Sequence, residues 1–354
     1  MGDVKTILVT GVAGPWGARV ARRLLQQPDL HVIGVDTAVP AEPPPLLDFV
    51  QADVRNPLLV ELLRAERVDA VCHLAFAESR RRSEQLFEVN VMGAMRVFGA
   101  CAEAGVRKIV HRSSTAVYGA LPTNPAFLAE AHPLQGSRSH GAIRYMLEIE
   151  EFCDGFRQQQ PEIGLTTLRF ANILGKTADT PLAKLLGGRS APILLGFDPM
   201  MQLVHETDVV EALVHALLHD VPGTFNVAAE GLMPLTRLLT LTRTLPVPLL
   251  HPLAYWGAGT LPGRLNPMRY LPLGIDALRY RCVGDLAQMH AALGFEPRYT
   301  AAEAVEEFAG QKRMRGVAPD EDVLAFDEAR LRGTLQQRRR EKARRGAGRE
   351  VTNG

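Results

Sequence analysis

Thr6-Ile7-Leu8-Val9-Thr10-Gly11-Val12-Ala13-Gly14-Pro15-Trp16-Gly17, close to the start of the 354-residue chain, decides the fold. Thr6–Thr10 is a short apolar and β-branched run that reads as a buried parallel strand. Three glycines at three-residue spacing follow at once, and Pro15 opens a helix carrying Ala18, Val20, Ala21, Leu24 and Leu25. Such glycines permit a tight turn, close approach of backbone to a pyrophosphate, and close packing of helix on strand. The helix start adds N–H donors and the positive end of its dipole. A structural turn alone does not account for three glycines so placed.

The cadence repeats outward. His31–Val35 is a second strand, Leu58–Leu63 a helix, Val68–Leu74 a strand, Glu88–Ala104 a helix and Lys108–His111 a strand. A helix over Gly141–Gln158, a strand Leu165–Phe170 and a short late strand Phe225–Val227 follow. Strands alternating with helices predict an α/β fold, a doubly wound parallel sheet. Residues 1–180 carry that pattern. Residues 181–310, richer in Pro and Gly, read as a smaller mixed lobe over the carboxyl ends of the strands, with returns to the sheet, and 311–354 as a polar, basic tail. Asp36 ends the second strand, where a carboxylate can accept hydrogen bonds from an adenosine ribose and oppose a 2′-phosphate. That charge favours NAD over NADP; otherwise Asp36 starts a turn before Thr37. Asp53 can accept the adenine amino group or close its strand as an exposed acid.

Composition is that of an ordinary globular chain, 46% hydrophobic and 22% charged, which excludes disordered and low-complexity scaffolds. The formal charge of +1 argues against a polyanion binder. It hides an asymmetry, since Arg338–Arg349 holds six Arg and one Lys against Glu341 alone, a local +6 that leaves −5 elsewhere. That tail reads as a solvated helix end or a contact for an anionic surface. No interleaved aromatics support specific nucleic-acid recognition. Cys72, Cys101, Cys153 and Cys282 form no ligand spacing, so no metal is expected, and reduced thiols in a cytoplasmic protein are. No signal-peptide pattern opens the chain. The uncharged stretch Thr244–Gly263 contains four prolines, which argues against a transmembrane helix. Within it, Pro246–Trp256 is expected to line the smaller lobe, as buried packing or as an apolar contact surface.

The glycine loop, Asp36, Asp53-Val54, His73-Leu74-Ala75, Asn90-Val91-Met92-Gly93 and Ser113-Ser114-Thr115-Ala116-Val117-Tyr118-Gly119 occur in an order that resembles the extended short-chain dehydrogenases/reductases, the NAD-dependent epimerase/dehydratase proteins. Leu168–Gly175, Val204–Val209 and Gly223–Val227 extend the resemblance, which covers roughly Lys5 to Phe308. It implies a Rossmann-type sheet with a C-terminal substrate lobe, NAD as cofactor, and a homodimer. The substrate would be a small molecule with a secondary alcohol or ketone, possible examples being nucleotide sugars. Gly11, Gly14, Gly17, Asp36, Asp53, Val54, Leu74, Ala75, Asn90 and Arg144 would contact NAD. Asn172 would face the substrate, and Ser114 would hydrogen-bond the reacting oxygen.

The family's acid/base is a Tyr with a Lys four residues later. Anchored on Glu148, this chain has His140 and Arg144 at those positions. Tyr145 lies one residue past Arg144, about 100° round the helix, and does not restore the motif. Two readings follow. His140 acts as general base, with Arg144 binding the ribose and favouring the neutral ring. Alternatively, the proton relay is lost and the protein binds NAD as a sensor or scaffold. A hydrolase built on Ser114, His140 and Glu130 lacks the GxSxG elbow.

Overall fold

The computed structural model describes residues 5–79, 83–250, 273–315 and residue 330. Residues up to Ala309 form one compact unit and those from Gly310 a second. In the first, six strands come in succession, with helices between all but β2 and β3: β1 (Thr6–Thr10), β2 (His31–Asp36), β3 (Asp48–Gln51), β4 (Ala70–His73), β5 (Lys108–Ser114) and β6 (Gly164–Phe170). Then come β7 (Asn172–Leu174), β8 (Ser190–Leu194), β9 (Met200–His205), β10 (Gly223–Val227), β11 (Leu232–Pro234) and β12 (Leu245–Leu249). The helices are α1 (Pro15–Leu24), α2 (Leu59–Ala65), α3 (Glu84–Phe87), α4 (Gly93–Ala104), α5 (Gly141–Gln159), α6 (Pro181–Gly187), α7 (Glu206–Leu218), α8 (Leu235–Leu241) and α9 (Ala301–Arg315).

Seven strands form the main sheet in the order β10-β6-β5-β4-β1-β2-β3, every pair parallel. Side chains alternate across it as strand geometry requires. Ile7 and Val9 pack with Val20, Leu24, Leu213 and Leu217 of α1 and α7, while Leu8 packs with Phe98, Ile149 and Phe156 of α4 and α5. Both faces are buried, which is why β1 and β4 read as near-continuous apolar runs. Strand order reverses between β1 and β4, and the carboxyl ends at such a switch point are where ligands of open parallel sheets bind.

The smaller lobe is mixed. β9 pairs with β7 in parallel and with β11 antiparallel, and β8 pairs with β12 in parallel. Leu182, Leu186, Leu203, Leu238 and Phe308 share its core. β10 returns to the edge of the main sheet beside β6.

Two expectations need correction, and one strand, β3, is additional to those expected. The helix of Glu88–Ala104 begins earlier, with α3, and passes through a π-helical turn, Glu88–Met92, before α4. β3 follows a proline-rich segment and lacks an apolar run. Of the stretch Pro246–Trp256, the described residues are exposed except Leu249, which is half-buried against the lobe core; Val247 at 44% and its neighbour Leu245 at 69% show a strand lying largely on the surface. Leu245 N–H donates to Arg189 and the Leu249 carbonyl accepts from Leu195, so the alternate residues Pro246 and Pro248 face the open edge, where a missing N–H costs nothing. Residues 251–256 and the basic tail lie outside the described residues. All four cysteines are free, and burial pushes the thiols of Cys153 and Cys282 up to about 12. Among the described residues, no helix is long and apolar enough to cross a membrane and no cluster of metal-ligating side chains occurs.

Candidate active site

Gly11 turns the chain at φ +74°, and a Cβ there would lie 2.7 Å from the backbone of Leu74 and Ala75. A Cβ on Gly17 would lie 2.2 Å from the Gly11 carbonyl oxygen. Both glycines are required by packing of backbone on backbone. Gly14 differs: an added Cβ would meet only the Gly11 oxygen, at 3.2 Å, and otherwise projects into open space. Gly14 caps α1, whose first turn contains Pro15 and no acidic residue. The loop, the helix start and the open side at Gly14 together make a cradle for a phosphate.

Side chains brace this cradle from both sides. Asp36, at the end of β2, accepts the Ala13 N–H at 2.9 Å and the Ala38 N–H at 3.1 Å. The Thr10 hydroxyl accepts the N–H groups of Leu74 and Ala75 at 3.1 and 3.2 Å, leaving its own hydrogen for His73 Nδ1 at 3.0 Å. His73 is thereby a neutral, Nε2-protonated ring, and burial pushes its pKa down to about 4. It stacks on His111 of β5, whose pKa burial pushes down to about 3.

The remaining cofactor candidates divide. Leu74 and Ala75 stand half-buried at the mouth. Asp53 does not present an open carboxylate, because the Arg55 guanidinium grips both oxygens at 3.0 and 2.6 Å and holds its pKa below the usual carboxylate range. Val54 is buried and packs towards Gly93. Asn90 is fully buried in the π-helical turn, its Oδ1 accepting the Ala77 N–H at 2.7 Å and its Nδ2 donating to the Ala77 carbonyl at 3.0 Å. The extra residue of the π turn aims this amide at the loop after β4, so Asn90 positions that loop.

The proton-handling candidates gather at the adjoining edge. Ser114 ends β5, and its Oγ accepts the Ala116 N–H at 3.2 Å, which leaves the hydroxyl hydrogen to donate outward. His140 is the residue before α5, and Arg144 lies one turn on, its Nε 3.3 Å from Glu148. Gly136 threads between Ile143 and the carbonyls of Ala116 and Val117, so the start of α5 is held against the turn that follows Ser114. The Ala142 N–H donates to Ser79, tying the same start to the loop after β4. Tyr145 points elsewhere: it is 2% exposed and its hydroxyl exchanges hydrogen bonds with the Ser83 backbone. Asn172 begins β7, half-buried, its Nδ2 donating to the Gln202 carbonyl at 3.0 Å. Glu130 is turned to β10, where it accepts the Asn226 N–H.

Beneath this edge lies a polar network that motif reading missed. Glu150 of α5 receives the Arg169 guanidinium at 2.6 Å and the Ser113 hydroxyl, while Arg169 also donates to Tyr118 at 2.7 Å and Tyr118 to Asn226 at 2.7 Å. Tyr118 is therefore a buried tie between β5, β6 and β10; burial, outweighing the nearby guanidinium, pushes its pKa up to about 12. The partners are 19 to 108 residues apart in sequence, and only strand register together with the packing of α5 on the sheet brings them together.

The model of the NAD dependent epimerase/dehydratase family matches residues 7–228, and the chain belongs to that family. An uncharacterized protein of Mycobacterium tuberculosis is 34% identical over 329 residues, 89% of this chain and 85% of that protein. The UDP-glucose 4-epimerase of Lactobacillus helveticus is 30% identical over 181 residues, covering 49% of this chain and 53% of the epimerase. Among solved structures, the UDP-glucuronic acid 4-epimerase of Bacillus cereus, in complex with UDP-glucuronic acid and NAD, superposes with a TM-score of 0.67 at 18% identity, over 87% of this chain and 99% of that one. This last likeness shows the shared fold.

Proposed function

We propose that this chain binds NAD at the β1/β4 switch point and oxidises a secondary alcohol to a ketone, reversibly, on a small substrate of the nucleotide-sugar class. The observation that carries the reading is the cradle: two glycines that backbone packing demands, a third that packing leaves open, and Asp36 fixed beside them. The nucleotide-sugar class rests on family membership and on what the named relatives act on. NAD, when bound, supplies the hydride acceptor. This chain's residues handle the oxygen and the proton. The Ser114 hydroxyl donates to the substrate oxygen, and the His140 ring takes the O–H proton as the C–H hydride departs, returning it in the reverse direction. Arg144, permanently charged, holds the ribose side and favours the neutral His140 ring. Asn172 and the lobe behind β7 face the rest of the substrate. Pairing of two copies through their long helices, and contact of the basic tail with an anionic surface, belong to the same proposal.

The test is hydride transfer, followed as NADH absorbance while UDP-sugars and simpler secondary alcohols are screened. His140→Ala should lower the rate on the order of 10²–10⁴-fold with NAD affinity nearly unchanged. Turnover untouched by that substitution would remove His140 as base. The double variant His140→Tyr with Arg144→Lys should support turnover.

A further inference from the structure

We propose that Arg112 is the cation of the phosphate cradle, held in reserve by Glu78, and that it engages the pyrophosphate of the bound dinucleotide. This deepens the NAD reading and rests on it. Alternation along β5 sends His111 and Ser113 to the α4/α5 face, His111 against Phe98 and Ser113 onto Glu150. Arg112 therefore points to the opposite face, the side of α1 and α7. His111 pairs with His73 in register, so Arg112 stands one step beyond, beside Leu74, where the glycine loop meets β4.

There the guanidinium carbon lies 5.2 Å from the Trp16 ring. Trp16 belongs to the first turn of α1, two residues after Gly14, so the cation reaches the end of the helix that faces a phosphate. Two guanidiniums flank this ring. Arg19, at 5.7 Å, is committed to Glu206 and Thr177. Arg112 is not fully committed. Its Nη2 donates to Glu78 Oε1 at 3.0 Å, but its Nε is buried and has no hydrogen-bond partner among the described residues. The Arg112 side chain is 12% exposed and that of Glu78 44%.

A buried guanidinium with an unmet donor and a single, half-solvated carboxylate is incompletely satisfied, and that is costly unless a further acceptor arrives. A pyrophosphate oxygen at the start of α1 is such an acceptor, and the planar fork of Arg suits it. Glu78, on the loop after β4, is the exposed partner and the one free to swing into water when the anion takes its place.

Calorimetric titration of the full chain with NAD, ADP-ribose and adenosine tests this, on wild type, Arg112→Gln and Glu78→Gln. Arg112→Gln should weaken NAD and ADP-ribose by on the order of 10-fold or more, leaving adenosine unchanged. Glu78→Gln should tighten NAD and ADP-ribose, because it removes the competing carboxylate. Wild-type affinity for NAD in Arg112→Gln overturns the proposal. So does weakening of NAD by Glu78→Gln, since the ion pair would then only prop the loop. If Arg112→Gln does not fold, Glu78→Gln decides alone. Wild type that takes up neither NAD nor ADP-ribose overturns the NAD reading itself, a result distinct from either variant outcome.

Discussion

Asp36 combines two roles, and a pair of substitutions separates them. Its carboxylate braces the glycine loop through Ala13 and sets a negative charge at the end of β2. Asp36→Asn keeps an acceptor for the Ala13 N–H while removing the charge, so NADP affinity should rise towards that for NAD. Asp36→Ala loses the brace as well and should weaken both dinucleotides; calorimetry with each ligand reads the difference, and equal NAD and NADP affinities in wild type would contradict the assignment. His73 and His111 make a second prediction at this scale. Both are neutral in the fold, with pKa values pushed down by burial to about 4 and about 3. In the unfolded chain each returns to about 6.5. At about pH 8, well above the unfolded value, the two states bind nearly equal protons at these sites. As pH falls from there towards 4 the unfolded chain takes up protons that the folded one refuses, and each ring then costs about 2 kcal/mol by pH 5. His111→Phe should shrink the loss of urea stability between pH 7.5 and pH 5. An unchanged loss would mean that this ring is protonated in the fold.

At the scale of elements, the strand-loop-helix β1–α1 makes opposite predictions for two of its glycines. Gly17→Ala places a Cβ 2.2 Å from the Gly11 oxygen and 2.8 Å from the Val12 Cα, so helix and strand must separate. The cost should exceed about 2 kcal/mol, read as a lowered melting temperature. Gly14→Ala meets a single atom at 3.2 Å and has an ordinary φ of −78°, so the fold should hold while a dinucleotide loses its approach. These glycines, Asp36 and the parallel strands were legible in the sequence because their signals are local: a run of apolar residues, a break, a helix start. The π-helical turn was not. The sequence Glu88–Met92 reads as ordinary helix, and only the wider turn shows that Asn90 faces Ala77. β12 was misplaced for a related reason, since apolar composition does not say that two prolines line an open edge. Arg112 was passed over just before the motif serines because its neighbours, Trp16 and Glu78, come from distant segments.

For the whole molecule, the main sheet, the small lobe and every candidate contact for NAD lie in the unit ending at Ala309. Deleting residues 338–354 should therefore leave melting temperature and NAD affinity unchanged. A loss of both would show that the tail supports the core. What the sequence could not specify at this scale is the tie between parts: Asp208 accepting the backbone of Arg298 and Tyr299, and His205 2.6 Å from Glu307, join residues about a hundred positions apart. The account stands or falls on the cradle. Its most direct measurement is calorimetric titration of NAD into wild type and Gly14→Ala, with the melting temperature of each recorded alongside. One NAD site in wild type, lost in Gly14→Ala at an unchanged melting temperature, is the expected result; a folded wild type that takes up no NAD, or a Gly14→Ala variant that binds it equally well, would contradict it.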